Sequence, residues 1–162
     1  MSRLLALFLL LAAGAAWAET LTGVVIVVID GDTLLFKPDR YLPAARAFLK
    51  VRLVDIDAPE KGQPYGEAAT RALEGMALQQ RATLEVVATD VYGRKLGRLG
   101  VGALPVNEEL VRRGYAWSSS RNSRRAVRPL QDEARRAGIG LWQDPAPIPP
   151  WVWRRAQPAR GR

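Results

Sequence analysis

Neither cysteine nor histidine occurs anywhere in the 162 residues. Without thiols the chain carries no disulfide framework, so its fold must be held by core packing. The two absences together remove most zinc sites, every triad built on a histidine base and every cysteine nucleophile. Hydrolytic chemistry is then left to carboxylates, arginine, lysine, tyrosine and a hard, oxygen-loving metal ion. Long apolar runs are scarce as well. The run Leu4 to Leu11 is shorter than a bilayer span, follows Arg3, and leads to Ala16-Trp17-Ala18, which has the small-x-small form of a signal-peptidase site. Cleavage after Ala18 is expected, with release to the periplasm or the medium and no stable membrane association afterwards.

What is present is an apolar content of 48%, enough for the single core expected of a chain this long. Lysine and arginine outnumber aspartate and glutamate by 24 to 16, a net charge of +8, and the excess is uneven. From Arg112 onward the acids are only Asp132, Glu133 and Asp144, set among arginines throughout. That half reads as a surface facing a polyanion, against the plainer reading of a solubilising basic tail.

Leu21 to Val28 is rich in β-branched residues and predicts a buried strand. Asp30-Gly31 signals a tight turn, which places Asp32 at a hairpin before a second strand, Thr33 to Lys37. Lys50 to Ile56 alternates as a third strand, with Val51 and Leu53 on one face and Lys50, Arg52, Val54 and Ile56 on the other. Pro59 forbids its continuation, so Asp57, Ala58 and Glu60 fall on a turn at the strand end. Tyr65 to Gln80 has helical spacing of Ala69, Leu73, Met76 and Ala77; Ala82 to Thr89 and Leu96 to Val101 predict two more strands. Val106 to Arg113 and Pro129 to Ala137 predict further helices, each stopped by a glycine. Five strands with a helix after the third and two at the end give an α+β chain. Its element order is that of an OB-fold five-stranded β-barrel with three helices. The expected division is a signal peptide at 1–18, a domain at 19–144, and an extended, proline- and arginine-rich tail at 145–162 whose tryptophans pack on the barrel.

The acids Asp30, Asp32, Asp55, Asp57 and Glu60 arise from two places only, the hairpin turn and the strand end. Carboxylates brought together from two loops repel unless a cation lies between them, and without histidine or cysteine the fitting ion is Ca²⁺ or another hard divalent metal. Asp30 and Asp55 fit structural roles better, as a turn former and a backbone hydrogen-bonding group.

In order along the chain, five motifs stand at matching spacing: Asp30-Gly31-Asp32-Thr33, Arg52-Leu53-Val54-Asp55-Ile56-Asp57-Ala58-Pro59-Glu60, Tyr65-Gly66-Glu67-Ala68, Asp90-Val91-Tyr92-Gly93-Arg94 and Val106-Asn107-Glu108-Glu109-Leu110-Val111. Together they resemble the thermonuclease family, the staphylococcal nuclease-like domains, from about Leu21 to Trp142. The resemblance implies a Ca²⁺-dependent phosphodiesterase on an OB fold that cuts DNA and RNA and leaves 3′-phosphate ends. It implies Asp32 and Asp57 as metal carboxylates, the Ala58 carbonyl as a further ligand, Glu60 as orienter or base for the attacking water, and Arg52 and Arg94 as the phosphate grip. Family members often carry threonine at the position of Ala58, a change a backbone ligand tolerates. The competing reading is an OB module that binds nucleic acid without catalysis, for which the full set of acids and arginines would have no use.

The sequence departs from the family after the second helix, where tyrosines that contact nucleotide give way to Ala116-Trp117-Ser118-Ser119-Ser120-Arg121-Asn122-Ser123-Arg124-Arg125. Tyr92 and Tyr115 are left as aromatic candidates, and Arg121, Arg124, Arg125 and Arg128 would hold phosphates without reading bases. Single-stranded substrate is favoured, since a narrow barrel groove admits unpaired strands, and the protein is expected to act as a monomer. Four such contacts set the expected outcome: binding of single-stranded DNA should fall with salt at a log–log slope of about −3. A flat salt dependence, measured by fluorescence anisotropy, would remove the arginine cluster from the substrate path.

Overall fold

The structure is a computed structural model describing residues 19–40, 47–119 and 127–157. It opens with β1 (Glu19–Asp30), a strand long enough to serve two neighbours. Its first half pairs with β5 (Arg81–Thr89) and its second half with β2 (Thr33–Pro38), both antiparallel. The strand changes partner near Gly23, where a Cβ would run into the Lys37 carbonyl oxygen and the Phe36 ring, so the bend needs glycine. Register shifts between Val25 and Val27 and between Val28 and Asp30 add to the curl that a small barrel demands.

Closure comes from β3 (Leu49–Leu53), which pairs antiparallel with β2 and parallel with β6 (Lys95–Val101), itself antiparallel to β5. The five strands β1, β2, β3, β6 and β5 thus form a closed barrel, the architecture read from the sequence. Its interior is filled by Val25, Leu34, Phe36, Val51, Leu53, Leu84 and Leu99, all almost completely excluded from solvent. Helix α1 (Gly66–Ala77) lays Ala69, Leu73, Met76 and Ala77 against it, the stripe its spacing predicts. Short β7 (Leu104–Pro105) leads into α2 (Val106–Arg112). Helix α3 (Val127–Arg136) begins earlier than the sequence suggested and docks on β8 (Trp117–Ser118), the Ser118 amide donating to Gln131 Oε1 at 2.8 Å.

Two expectations are corrected. The Lys50 strand does not run to Ile56: it ends at Leu53 and resumes as β4 (Ile56–Asp57), paired with β8. Between them Asp55 takes the left-handed conformation, φ 67°, which its short polar side chain tolerates. Its carboxylate is not limited to backbone partners, since Arg98 grips it at 2.8 Å. The break shifts the alternation by one residue, so Ile56, read as facing away from Val51 and Leu53, is buried like them. The tail, in turn, is not extended throughout: it folds into α4 (Pro150–Ala156), with proline in its first turn.

Asn107 holds this break in place. Buried in α2, it accepts the Leu99 amide at 3.0 Å and donates through Nδ2 to the carbonyls of Val54, at 2.9 Å, and Gly97, at 3.3 Å. Replacing it takes the partner from the buried Leu99 amide and a donor from the Val54 and Gly97 carbonyls. Asn107→Ala should therefore lower unfolding stability by about 3 kcal/mol. Urea denaturation checks this, and a loss near zero would show that Asn107 does not hold the break.

Candidate active site

Asp32, in the β1–β2 turn, is positioned by Asp30, whose carboxylate accepts the Asp32 amide at 3.1 Å. Asp30 is thus the turn former its place in the sequence suggested. The Asp32 carboxylate accepts the Ala58 amide at 2.9 Å and the Thr33 hydroxyl at 3.0 Å, and its own carbonyl accepts the Leu53 amide at 2.8 Å. These bonds tie the hairpin turn to the acid turn across 26 residues of sequence. Below them Arg52 projects from β3 with one guanidinium nitrogen on Asp32 and another 2.9 Å from Asp57 Oδ1.

Both carboxylates are buried, 5% exposed at Asp32 and 4% at Asp57, which makes their charge costly without that guanidinium. Burial pushes the Asp32 carboxyl above its ordinary value, the nearby Arg52 charge offsetting only part of it. For Arg52 burial works the other way, but the Asp32 and Asp57 carboxylates outweigh it and hold the guanidinium charged.

Glu60 sits at the rim. Its amide donates to Gln63 Oε1 at 3.0 Å, and a Cβ at Gly66 would overlap its carbonyl, so the acid turn is seated directly on the start of α1. The Glu60 carboxylate is 2.6 Å from Arg154 of α4, a residue not among those selected from the sequence. Arg154 also holds Asp57, with Nη2 2.8 Å from Oδ2 and Nη1 3.2 Å from Oδ1. The hydrogen bonds to Asp57, and after them those to Glu60, overcome desolvation and raise the Arg154 guanidinium above its ordinary value. The signal available was Pro149-Pro150 ahead of Trp151 and Arg154: proline opens a helix, and residues three apart then share a face.

The family described as Staphylococcal nuclease homologue matches residues 50–144, more than half of the chain. The chain belongs to that family. Among relatives of this nuclease are Protein ParB of Escherichia coli, 41% identical over 93% of this chain and 88% of its own, and an uncharacterized endonuclease of Escherichia coli O157:H7, 39% identical over 82% and 84%. A micrococcal nuclease of Shigella flexneri is 35% identical over 87% of this chain and 84% of its own. The protein is an enzyme of the phosphodiesterase class, and Arg154 lies beyond the matched residues.

The other described residues named from the sequence have partners of their own. Arg94 is paired with Asp90 at 2.7 Å, in a turn where Asp90 also accepts the amides of Tyr92 and Arg94, at 3.0 and 2.9 Å. Its guanidinium lies 5.7 Å from the centre of the Tyr92 ring, which projects into solvent. Arg128 is exposed on α3 with Asp132 at 3.8 Å, Tyr115 packs against the core, and Arg121, Arg124 and Arg125 lie outside the described residues.

As to a metal, no three acidic side chains converge in one cage among the described residues. What the nuclease offers is a pair of buried carboxylates, Asp32 and Asp57, beside the backbone of Ala58. All are oxygen donors, and each carboxylate is already met by a cationic side chain. That donor set suits a hard cation bound by few protein groups and completed by water.

Arg52→Ala would leave buried Asp32 without its guanidinium and Asp57 with Arg154 alone. Stability at neutral pH without added metal should drop by about 3 kcal/mol. In the variant the folded-state Asp32 would bind its proton still more tightly than in the unfolded chain. The deficit should accordingly be full at neutral pH and shrink as pH falls through the raised value. A deficit that does not change with pH, in denaturation curves, would show that the loss is one of packing.

Proposed function

We propose that this chain is an exported, Ca²⁺-dependent nuclease that hydrolyses the phosphodiester bonds of DNA and RNA, preferring single strands and leaving 3′-phosphate ends. The observation that carries the reading is the buried Asp32–Arg52–Asp57 cluster with Glu60 at its solvent-facing edge. It combines anionic donors for a cation, a permanent positive charge for phosphate, and a carboxylate within reach of water. Export is supported by the N-terminal eighteen residues, which lie outside the described part of the molecule.

Asp32, Asp57 and the Ala58 carbonyl would hold the ion, and when bound it supplies positive charge for the phosphate and an acidified water. Arg52 stays charged at any working pH and offers a planar fork to two phosphate oxygens. Its place in β3 keeps it pre-aimed, so the charge that gathers on the phosphate in the transition state meets a donor needing no reorganisation. Arg94 provides a second fork once it exchanges Asp90 for a phosphate oxygen. Glu60, in a rim position, accepts a proton from water or orients it. Tyr92, 83% exposed beside Arg94, offers a flat face to an unpaired base. The arginines of the second half hold flanking phosphates.

Glu60→Gln should keep substrate binding within about two-fold and reduce turnover by roughly a thousand-fold. Degradation of single-stranded DNA with Ca²⁺ and with EGTA is the companion measurement. Turnover unchanged in the variant would remove Glu60 from the reaction, and cleavage surviving the chelator would overturn the metal requirement.

A further inference from the structure

The last helix puts a cation where the nuclease reading needs an empty coordination position. Arg154 approaches both oxygens of Asp57 and one oxygen of Glu60, while Arg52 donates to the Asp57 Oδ1 that Arg154 also meets. Asp57 thus faces two guanidiniums, and a divalent cation brought to either oxygen would meet their combined repulsion at short range. One of the two must leave.

The two arginines are held very differently. Arg52 sits mid-strand in the barrel wall, its backbone paired with β2 and β6. Arg154 stands on a seven-residue helix whose only buried residue is Pro150, near the end of the chain. Few contacts secure that helix: Trp151 meets the Trp117 ring edge-on at 5.5 Å, and Gln63 donates to the Ile148 carbonyl at 2.6 Å just before it. A short helix with so little buried surface opens at low free-energy cost.

We propose that α4 is a tethered competitor for the metal: Arg154 caps Asp57 and Glu60 in the metal-free protein and is expelled when the divalent cation binds. The proposal depends on the reading of Asp57 as a cation ligand. In the closed state the cap occupies the metal carboxylate and also engages Glu60, so the resting enzyme lacks both its cation and its free base. Metal entry releases the two together. Apparent calcium affinity is then the intrinsic affinity multiplied by the fraction of molecules with α4 lifted.

Calorimetric titration of the purified protein with calcium chloride tests this. Arg154→Ala should bind calcium about five-fold tighter or more than the unaltered chain, because the competitor is gone. Arg154→Lys, with one ammonium in place of a fork, should fall between them. Trp151→Ala, which loosens α4 without touching the acids, should shift affinity in the same direction and serves as well if Arg154→Ala does not fold by circular dichroism. Calcium should also change the fluorescence of the Trp117–Trp151 pair in the unaltered chain. Calcium bound equally well, or more weakly, by folded Arg154→Ala and Trp151→Ala overturns the competitor and leaves the metal reading standing. An absence of calcium binding in every form, the unaltered chain included, overturns both.

Discussion

The molecule depends on one electrostatic constraint: two carboxylates, from different turns, are buried on either side of a single guanidinium. Asp32 and Asp57 would each be unfavourable in so dry a place, and Arg52 makes them tolerable together. The surrounding architecture serves that arrangement. The kink at Asp55 turns the chain so that Asp57 faces Arg52, Asn107 and Arg98 hold the kink, and α1 supports the turn that follows. Charges held close in so dry a place cost stability, a pattern that marks functional sites more often than stabilising ones.

Much of this was legible in the sequence, for identifiable reasons. Period-two alternation in Leu49–Leu53 and period-three-to-four spacing in α1 are direct consequences of a barrel wall and a helix laid upon it. That acids from the hairpin turn and the strand end would meet followed from charge logic, whereas singling out Asp32 and Asp57 among them came from the family resemblance. The break after Leu53 was not legible. Nothing in Val54-Asp55 forbids a strand, and the left-handed Asp55 is imposed by partners over forty residues away, Arg98 among them. The link between Trp117 and Trp151, which brings Arg154 to the acids, is likewise a tertiary contact. Local pattern cannot encode it.

The tryptophans form the second organising feature. Trp142, Trp117 and Trp151 meet edge-on in succession, with ring centres 4.4 and 5.5 Å apart. Trp117 sits at the register position opposite Asp57 in the β4–β8 pair. The aromatic row therefore couples the acid strand on one side to α4 on the other, and a residue outside the matched family region is delivered to the acid cluster.

That β4–β8 pair also dictates when the site can exist. Asp57 is fixed by a strand that is not made until Trp117 has been synthesised, and β3 finds its parallel partner only once Gly97 is in place. Both closures span long stretches of chain, which makes them late and slow events in folding. Asp32, Arg52 and Asp57 all lie in the first half of the sequence, yet a chain truncated or still emerging before Trp117 lacks the strand that holds Asp57. Assembly of the acid cluster is thereby tied to synthesis of more than two thirds of the polypeptide, and shorter N-terminal fragments are denied the cluster by topology alone.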